Sequence, residues 1–406
     1  MSSAGTPAGT PAGTPNGAPA ATPTSGGPQR QVRVVGTGLI GTSIGLALVR
    51  AGQDVTLADP SPTAAALARD LGAGRLAEPD DVPDLVVVAA PPDVAAAVVV
   101  EQLAAWPQAV VTDVSSVKSA ILAGVVRAAA ARQLPPAALA RYVGGHPMAG
   151  RERSGAVAAR DDLFEGRPWV ICAHQGTTPA AVEAVTWLAR RAGAAVVEMP
   201  PEQHDVAVAS VSHAPQVAAS LVAARLRDLS VDAVGLAGQG IRDVTRIADS
   251  DPALWTQILA GNAGAVADVL QALQEDLAGV LEALRDLSVD PEVAHGARAV
   301  LARCVAAGQV GRARIPGKHG AAPTQYGVVT VVVRDEPGTV ARLLADVGAA
   351  GVNMEDLRIE HQLGRKRGVV EVFVIPSAVQ PLSEVLRGLG WAVHESSVQG
   401  GAAGAG

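Results

Sequence analysis

Residues 31–59 of this chain, QVRVVGTGLIGTSIGLALVRAGQDVTLAD, decide the predicted fold. The stretch opens with a short apolar run of the kind found in buried parallel strands. Three glycines follow in the spacing G-x-G-x-x-G: Gly36, Gly38 and Gly41. A helix is predicted from Leu39 to about Ala51, and a second strand follows at residues 55–58. The stretch therefore predicts a strand, a tight turn, a helix and a second strand in succession.

The same stretch has the features of a dinucleotide site. The first glycine allows a sharp turn, the second lets the backbone approach a pyrophosphate, and the third lets the helix pack closely on the strand. The helix begins at Leu39 and Ile40, where its N–H groups point at the phosphate. Asp59 lies about 20 residues beyond the glycines, where an acid binds a ribose hydroxyl and disfavours the 2′-phosphate of NADP. We therefore predict a Rossmann unit that binds NAD; the alternative is a βαβ turn with incidental glycines.

Composition limits the possible classes of protein. A length of 406 residues suggests two or three domains, and 49% hydrophobic residues are enough for real cores. The net charge of −7 argues against nucleic acid and against an anionic membrane surface. The apolar stretches are interrupted by charges or prolines, so no membrane-spanning segment is expected. Two cysteines, Cys172 and Cys304, and no secretory signal indicate a reducing cytoplasm, and no metal site is predicted.

The chain divides into segments of different periodicity. Alternating strands and helices continue to about residue 201 and predict a doubly wound α/β sheet. Strand-like runs then disappear, and apolar periodicity predicts helices at 203–228, 232–248, 252–286 and 291–307. The C-terminal part has the order βαββαβ, a ferredoxin-like arrangement. The predicted segments are a disordered tail at 1–30, a Rossmann domain at 31–201, an all-helical domain at 202–311, a linker at 312–324 and the ferredoxin-like domain at 325–398.

Two motifs after the glycine turn place reactive side chains near strand ends. In TDVSSVK, at 112–118, Ser116 either faces the cofactor or only caps the next helix. In GGHPMAG, at 144–150, His146 is predicted in a loop bounded by glycine and proline at the carboxyl edge of the sheet. A histidine ordinarily titrates near neutrality, which makes His146 a general-base candidate, although a single loop histidine usually has no such role.

Two further motifs fall in the predicted helical domain. In GIRDVTRIADSDPALW, at 240–255, Arg246 lies one helical turn from Arg242. A guanidinium on a rigid helix suits bidentate binding of a carboxylate, and the alternative is a solvated surface arginine. In SHAPQ, at 212–216, His213 lies on the first long helix and either lines the same cleft or is an ordinary core histidine.

Taken together, these motifs resemble the prephenate dehydrogenase family over residues 31 to about 310. The matching pieces are GTGLIGTSIG, DVSSVK, GGHPMAG, SHAPQ, GIRDVTRIADSDPALW and the pair Gly261-Asn262. The C-terminal stretch RDEPGTVARLLADVGAAGVNMEDLRIE looks like an ACT domain, a βαββαβ module that commonly senses amino acids. The combination is far more specific than any one of the motifs.

The resemblance implies an NAD-dependent oxidative decarboxylation of prephenate to 4-hydroxyphenylpyruvate in tyrosine biosynthesis. It implies that His146 takes the hydroxyl proton as hydride leaves the same carbon, that Ser116 orients His146, and that Arg246 binds a substrate carboxylate. Family analogy also suggests a homodimer through the helical domain. The resemblance implies five further positions in the substrate site: Glu152, His213, Gln216, Asp243 and Trp255. Of these, Glu152 and Asp243 would shape or gate the cleft.

Several alternatives stay open. Many family members have histidine at the position of Gln216, so arogenate is a serious alternative substrate. A β-hydroxyacid dehydrogenase would use a lysine in the helical domain, but residues 203–307 contain none. A non-catalytic NAD-binding sensor is a more remote possibility. In the ACT-like unit, the loop at 335–338 and Asn353 are predicted to bind tyrosine or another aromatic amino acid, unless the unit only stabilises a dimer.

Overall fold

The computed structural model describes residues 29–150, 155–290, 294–315, 326–361 and 367–395. Its internal contacts divide the chain into two compact units, Met1–His204 and Asp205–Gly406. Residues 1–28 of the predicted tail at 1–30 and most of the predicted linker lie outside the described residues.

An eight-stranded sheet forms the centre of the first unit. Its order is β3-β2-β1-β4-β5-β6-β7-β8, and every neighbouring pair is parallel except β6 and β7. After β1 the chain adds β2 and β3 on one side of the sheet, and after β4 it adds β5 to β8 on the other side. The strand order therefore reverses between β1 and β4, which makes this pair the switch point where α/β sheets bind ligands. The strands are β1 (Gln31–Val35), β2 (Asp54–Ala58), β3 (Arg75–Leu76), β4 (Leu85–Val88), β5 (Val110–Asp113), β6 (Tyr142–Pro147), β7 (Pro168–Cys172) and β8 (Ala195–Glu198).

Helices join these strands, and the sheet is buried between them. All four residues of β4 are buried, as expected of a parallel strand that is covered on both faces. Ile44 and Leu48 of the first helix and Leu188 of the last belong to the same apolar core as Trp169 of β7. The helices are α1 (Leu39–Arg50), α2 (Pro62–Asp70), α3 (Pro92–Ala105), α4 (Ser119–Ala131), α5 (Pro136–Leu139) and α6 (Pro179–Arg191).

The placement of His146 in a loop is wrong. The structure continues β6 through residues 144–147, and His146 pairs with Val170 of the antiparallel strand β7. Gly145 makes this possible, because a β-carbon there would lie 2.8 Å from the carbonyl oxygen of Asp113 and 3.1 Å from Nε1 of Trp169. Gly145, one of the glycines that suggested a loop, instead allows close approach between neighbouring strands.

In the described residues between 201 and 313, the regular structure is helical. Its elements are α7 (Pro201–Val208), a π-helical turn (Ala209–His213), α8 (Ala214–Arg225), α9 (Val231–Val234), α10 (Gln239–Thr245), α11 (Pro252–Gly261), α12 (Ala263–Val289) and α13 (Ala297–Ala313). The stretch of helical periodicity at 252–286 forms two helices, because Asn262 separates them with non-helical dihedral angles of −127° and 30°. Helix α13 begins at Ala297 and extends two residues into the predicted linker.

The helix Pro201–Asp228 is longer and more apolar than we expected of any segment from the sequence. It contains an 18-residue window of mean hydropathy 1.4, so by length and composition alone it could cross a membrane. A third of that window, 33%, is buried inside the protein, and the core helix of a soluble protein meets the same criterion. Pro215 does not interrupt the helix, because the preceding π-helical turn adjusts the hydrogen-bond pattern where proline lacks an N–H.

The C-terminal part is a four-stranded antiparallel sheet with two helices. Its elements are β9 (Gly327–Arg334), α14 (Thr339–Ala349), β10 (Asp356–His361), β11 (Arg367–Val374), α15 (Val379–Gly388) and β12 (Ala392–Glu395). The strand order is β10-β11-β9-β12, and alternate residues of β9 and β11 are buried in a core with Leu343 and Leu382 of the helices. Asn353 does not begin the second strand as predicted, since β10 starts at Asp356.

Candidate active site

The glycine turn lies at the carboxyl end of β1, beside the end of β4. Gly36 has a φ of +100°, and a β-carbon there would overlap the backbone of Ala89. A β-carbon on Gly41 would overlap the carbonyl oxygen of Gly36. By contrast, nothing lies within 4 Å of the β-carbon position of Gly38, which precedes α1. The turn therefore leaves open space where a pyrophosphate meets the N-terminus of α1, which has no acidic residue in its first turn.

Asp59 follows β2 and is tied to the glycine turn. Its Oδ2 accepts hydrogen bonds from the Thr37 backbone N–H at 2.8 Å and from the Thr37 hydroxyl at 2.9 Å, and its Oδ1 accepts from the Ser61 N–H at 2.8 Å. A carboxylate offers about four lone-pair positions, so these three bonds leave capacity for a ribose hydroxyl. The bonds also fix the orientation of the carboxylate before any ligand binds. The glycine turn and Asp59 together fit a dinucleotide.

A buried ion pair connects the loop after β5 to strand β6. Nζ of Lys118 contacts Oδ2 of Asp113, and the two side chains are 1% and 0% exposed. Lys118 also donates to the carbonyl oxygen of Gly145 at 2.6 Å, and the hydroxyl of Tyr142 donates to Oδ1 of Asp113 at 2.8 Å. Burial, and then the charge of Asp113, raises the pKa of the Tyr142 phenol well above its usual value, so Tyr142 remains a donor.

This ion pair positions the two catalytic candidates of the first unit. Ser116 lies between Asp113 and Lys118 and is half-buried. Asp113 is paired with Gly144 across β5 and β6, so β6 extends beside the loop that carries Ser116. His146 is the second residue beyond Gly144 and is 8% exposed. Ser116 and His146 are therefore held on adjacent backbone segments at the carboxyl end of β5.

His146 is paired with a second histidine. Its Nδ1 lies 2.8 Å from Nε2 of His204, the fourth residue of α7, and the two rings meet edge to face with centroids 5.0 Å apart. His204 is 0% exposed. His204 stands in an ordinary helical context without a motif of its own, so no sequence pattern pointed to it.

The candidates in the second unit cluster around the π-helical turn. His213, which ends that turn, is 1% exposed, and its ring meets the ring of Trp255 edge to face with centroids 6.1 Å apart. The side-chain amide of Asn262 donates to Nδ1 of His213 at 3.1 Å and to the carbonyl oxygen of Asp205 at 2.7 Å. Asn262 thereby links the break between α11 and α12 to His213. Gln216 is buried one turn later, with Nε2 3.5 Å from the Ser220 hydroxyl.

The arginine candidate differs from its prediction. Arg246 is exposed and begins a 3₁₀ turn, Arg246–Ala248, instead of lying in an α-helix. Helix α10 ends just before it, and the Thr245 hydroxyl donates a hydrogen bond to the carbonyl oxygen of Ile241 at 2.7 Å. Asp243 is exposed on α10 and accepts from Nε2 of Gln239 at 2.8 Å. Glu152 lies outside the described residues.

No metal cluster is found among the residues that the structure describes: none of their His, Cys, Asp and Glu side chains form a group of three or more that could bind an ion. The described residues of the first unit offer a buried imidazole and hydroxyl groups on the same sheet as a dinucleotide turn, and those of the second unit offer an exposed guanidinium. Such a set suits proton abstraction coupled to hydride transfer.

Comparison with known proteins identifies the family. The family model for the nucleotide-binding domain of prephenate dehydrogenase matches residues 44–198, and the model for the dimerization domain of prephenate dehydrogenase matches residues 200–295. The chain belongs to the prephenate dehydrogenase family. It is accordingly an NAD-dependent oxidoreductase with a Rossmann-like N-terminal domain and a helical domain.

Relatives in the prephenate dehydrogenase family span most of the chain. The probable prephenate dehydrogenase NovF of Streptomyces niveus is 37% identical over 367 residues, which are 89% of this chain and 99% of that protein. Prephenate dehydrogenase of Bacillus subtilis is 32% identical over 81% of this chain and 87% of its own length. The crystal structure of Aquifex aeolicus prephenate dehydrogenase with hydroxyphenyl propionate and NAD+ is 26% identical, with a TM-score of 0.60 over 70% of this chain and 98% of that one.

Proposed function

We propose that this protein catalyses the NAD-dependent oxidative decarboxylation of prephenate to 4-hydroxyphenylpyruvate. The observation that carries the proposal is the buried His146, held beside the Ser116 loop on the same sheet as a glycine turn that fits NAD. Family membership supplies the substrate class, since the relatives are named for prephenate. The dinucleotide-contacting residues in this proposal are Gly36, Gly38, Leu39, Ile40, Gly41 and Asp59.

The reaction needs a base for one proton, an acceptor for one hydride and a carboxylate that leaves as carbon dioxide. Prephenate carries a hydroxyl and a carboxylate on opposite carbons of its ring. Nε2 of His146 takes the hydroxyl proton while hydride leaves the same carbon, and Ser116 orients the hydroxyl toward the imidazole. NAD held by the glycine turn and Asp59 would supply the hydride acceptor. The bond from the ring to its carboxylate then breaks to release carbon dioxide, the ring becomes aromatic, and His146 returns the proton to the phenolate oxygen.

Residues of the helical domain are assigned to the substrate. Arg246 binds a carboxylate, and His213, Gln216 and Trp255 surround the rest of the molecule. Asp243, and Glu152 outside the described residues, shape the entrance. The position of His213 on a π-helical turn supports this assignment, because such turns are frequent at functional sites.

Replacing Arg246 with alanine is expected to raise the Michaelis constant for prephenate with little change in kcat. A hydrogen bond to a charged group is worth roughly 1.5–3 kcal/mol, which corresponds to about 10- to 150-fold in affinity. Initial rates at saturating NAD measure the constant, and Arg242→Ala, one turn earlier on α10, is the matched control. An unchanged constant in a folded Arg246 variant would exclude this arginine from the substrate site.

Substrate choice tests the proposed function directly. Absorbance of NADH is followed while prephenate, arogenate and a 3-hydroxy acid are offered separately. Prephenate is expected to give the highest kcat/KM. Arogenate is the second candidate, because Gln216 offers an uncharged amide where many family members have histidine. Turnover of the 3-hydroxy acid alone, or of none of the three, would contradict the proposal.

The domain organisation follows from the same proposal. We assign a Rossmann domain to 31–201, a helical substrate and dimerization domain to 202–311, a linker to 312–324 and an ACT-like domain to 325–398. A homodimer through the helical domain is supported by an exposed stripe on one face of α12, formed by Leu273, Leu277, Leu281 and Leu284. A biosynthetic enzyme that uses NAD is assigned to the cytoplasm.

We also infer an amino-acid effector for the ACT-like domain. A cavity of about 670 Å³ is lined by residues of the β9–α14 loop, among them Glu336 and Gly338, together with Arg334, Arg342 and Trp391. An aromatic ring and guanidinium groups suit a ligand with an aromatic side chain and a carboxylate, such as tyrosine. Asn353 is directed elsewhere, since its amide donates to Oε1 of Glu355 at 2.8 Å.

Truncation after Ile315 is expected to give an active enzyme that tyrosine no longer inhibits, while tyrosine inhibits the full chain. The helix α13 is complete at Ala313, so the cut leaves the helical domain intact. Inhibition curves at fixed prephenate compare the truncated chain, the full chain and a full-length Arg334→Ala variant. Equal inhibition of the truncated and full chains would place the inhibitor at the active site and contradict a regulatory role.

A further inference from the structure

His146 and His204 form a hydrogen-bonded pair that the proposed function does not by itself require. Nδ1 of His146 and Nε2 of His204 are 2.8 Å apart, a hydrogen-bond distance that requires one of the two nitrogens to carry a proton and the other to accept it. The proton can belong to either ring, and the two arrangements have opposite consequences for His146. Because the rings are 8% and 0% exposed, the geometry of the pair is set by the protein around it.

The two arrangements differ in what His146 can do. If His204 donates through Nε2–H, a neutral His146 must carry its own proton on Nε2 and cannot take another from the substrate there. If His146 donates through Nδ1–H, its Nε2 has a lone pair and can act as the base. The tautomer of His204 therefore decides whether His146 is competent.

We propose that His204 is the positioning residue that holds His146 in its Nδ1–H tautomer. In this arrangement His204 carries its proton on Nδ1 and accepts through Nε2. The proposal rests on the proposed role of His146 as the general base, and it adds the residue that prepares that base. His204 does not itself contact the reacting atoms.

The arrangement also serves the second half of the proton cycle. When Nε2 of His146 takes the substrate proton, the ring becomes an imidazolium with N–H groups on both nitrogens. Its Nδ1–H continues to donate to His204, and the bond becomes charge-assisted. With the opposite tautomer, Nε2 of His146 already carries a proton, and adding one at Nδ1 instead would bring two N–H groups face to face. The Nδ1–H arrangement thus allows His146 to accept and return the proton without rearranging the pair.

The first test reads the tautomer in the full-length wild-type protein. Two-bond ¹H–¹⁵N spectra of histidine-labelled enzyme distinguish Nδ1–H from Nε2–H rings, and the signals of the pair are assigned by their loss in His146→Asn and His204→Gln. We expect the Nδ1–H pattern for His146 and also for His204. An Nε2–H pattern for His146 would overturn the proposal, and this readout does not depend on turnover.

The second test shows whether His204 acts as a hydrogen-bond acceptor for His146 or only fills space beside it. His204→Leu removes the acceptor, and we expect kcat to fall about 10- to 150-fold, the range for one hydrogen bond to a charged group. His204→Gln places an amide oxygen near the position of Nε2, and we expect it to restore most of that loss. The KM for NAD should stay within about twofold in both variants, since the glycine turn is unchanged.

A matched control is His174→Gln in the same unit. Nε2 of His174 lies 3.0 Å from the carbonyl oxygen of Leu139, and its ring stacks on Tyr142. Wild-type kcat in His204→Leu, or equal losses in the Leu and Gln variants, would overturn the inference while leaving the proposed function intact. Wild-type kcat in His146→Asn would instead remove the proposed base. If His204→Leu does not fold, the wild-type tautomer and the kcat of His204→Gln decide the question.

Discussion

Replacing His146 with asparagine is expected to lower kcat about 10²- to 10⁴-fold, the typical contribution of a general base. Asparagine has a similar size, and its amide can still meet Nε2 of His204, so the pair remains filled. It cannot accept a proton at the position of Nε2. The hydroxyl proton of the substrate must then pass to water as hydride leaves, which raises the barrier.

The measurement separates chemistry from binding. Initial rates give kcat, and calorimetric titration of the free enzyme gives the Kd for NAD, which should change less than about twofold because the glycine turn lies at β1 and β4. His174→Asn is the matched control, since it changes another histidine of the same unit. A His146→Asn enzyme with a kcat within a few-fold of wild type would exclude His146 from the mechanism.

The nucleotide-binding half of the fold could be predicted closely from local patterns. The predicted helix from Leu39 to about Ala51 is observed as Leu39–Arg50, and the predicted strand at 55–58 is observed as Asp54–Ala58. These elements are short, buried and ended by glycine or by an acid, so each boundary has a local cause. Family membership confirms the Rossmann-like domain and the NAD cofactor.

The errors arise where tertiary contacts override local patterns. Gly144 and Gly145 looked like loop residues, but they belong to β6, and a β-carbon at Gly145 would press against the carbonyl oxygen of Asp113 and against Trp169. Asn262 looked like an ordinary helix residue, but its side chain bonds to Asp205 and His213, and the helix breaks there. Neither contact can be read from periodicity, because the partners are distant in sequence.

The same reason explains what the sequence could not reveal about the site. Motifs pointed to His146 and Ser116, yet His204 is 58 positions from His146 and has no motif of its own. Lys118 was visible as part of DVSSVK, and it is one of three lysines in the chain. Its role depends on the buried carboxylate of Asp113 and on the carbonyl oxygen of Gly145, which only the folded structure places beside it.

Replacing Lys118 with methionine is expected to destabilise the first unit by about 3–5 kcal/mol, because it leaves the Asp113 carboxylate buried without its cation. Asp113 is 0% exposed, so water cannot replace the ammonium group. The Tyr142 hydroxyl and the Ser115 N–H still donate to it, but neither carries a charge. The carbonyl oxygen of Gly145 also loses its donor, so kcat should fall as β6 and His146 shift.

Urea unfolding followed by tryptophan fluorescence measures the loss, and two further variants show its cause. Arg69→Met removes the cation of an exposed pair with Asp70, and it should change the unfolding free energy by only about 0–1 kcal/mol. Lys118→Met combined with Asp113→Asn also removes the carboxylate charge that has lost its cation, and should recover much of the stability. If the single Lys118 variant is as stable as wild type, or the double variant is no more stable than the single one, then an unpaired buried carboxylate is not what Lys118 prevents.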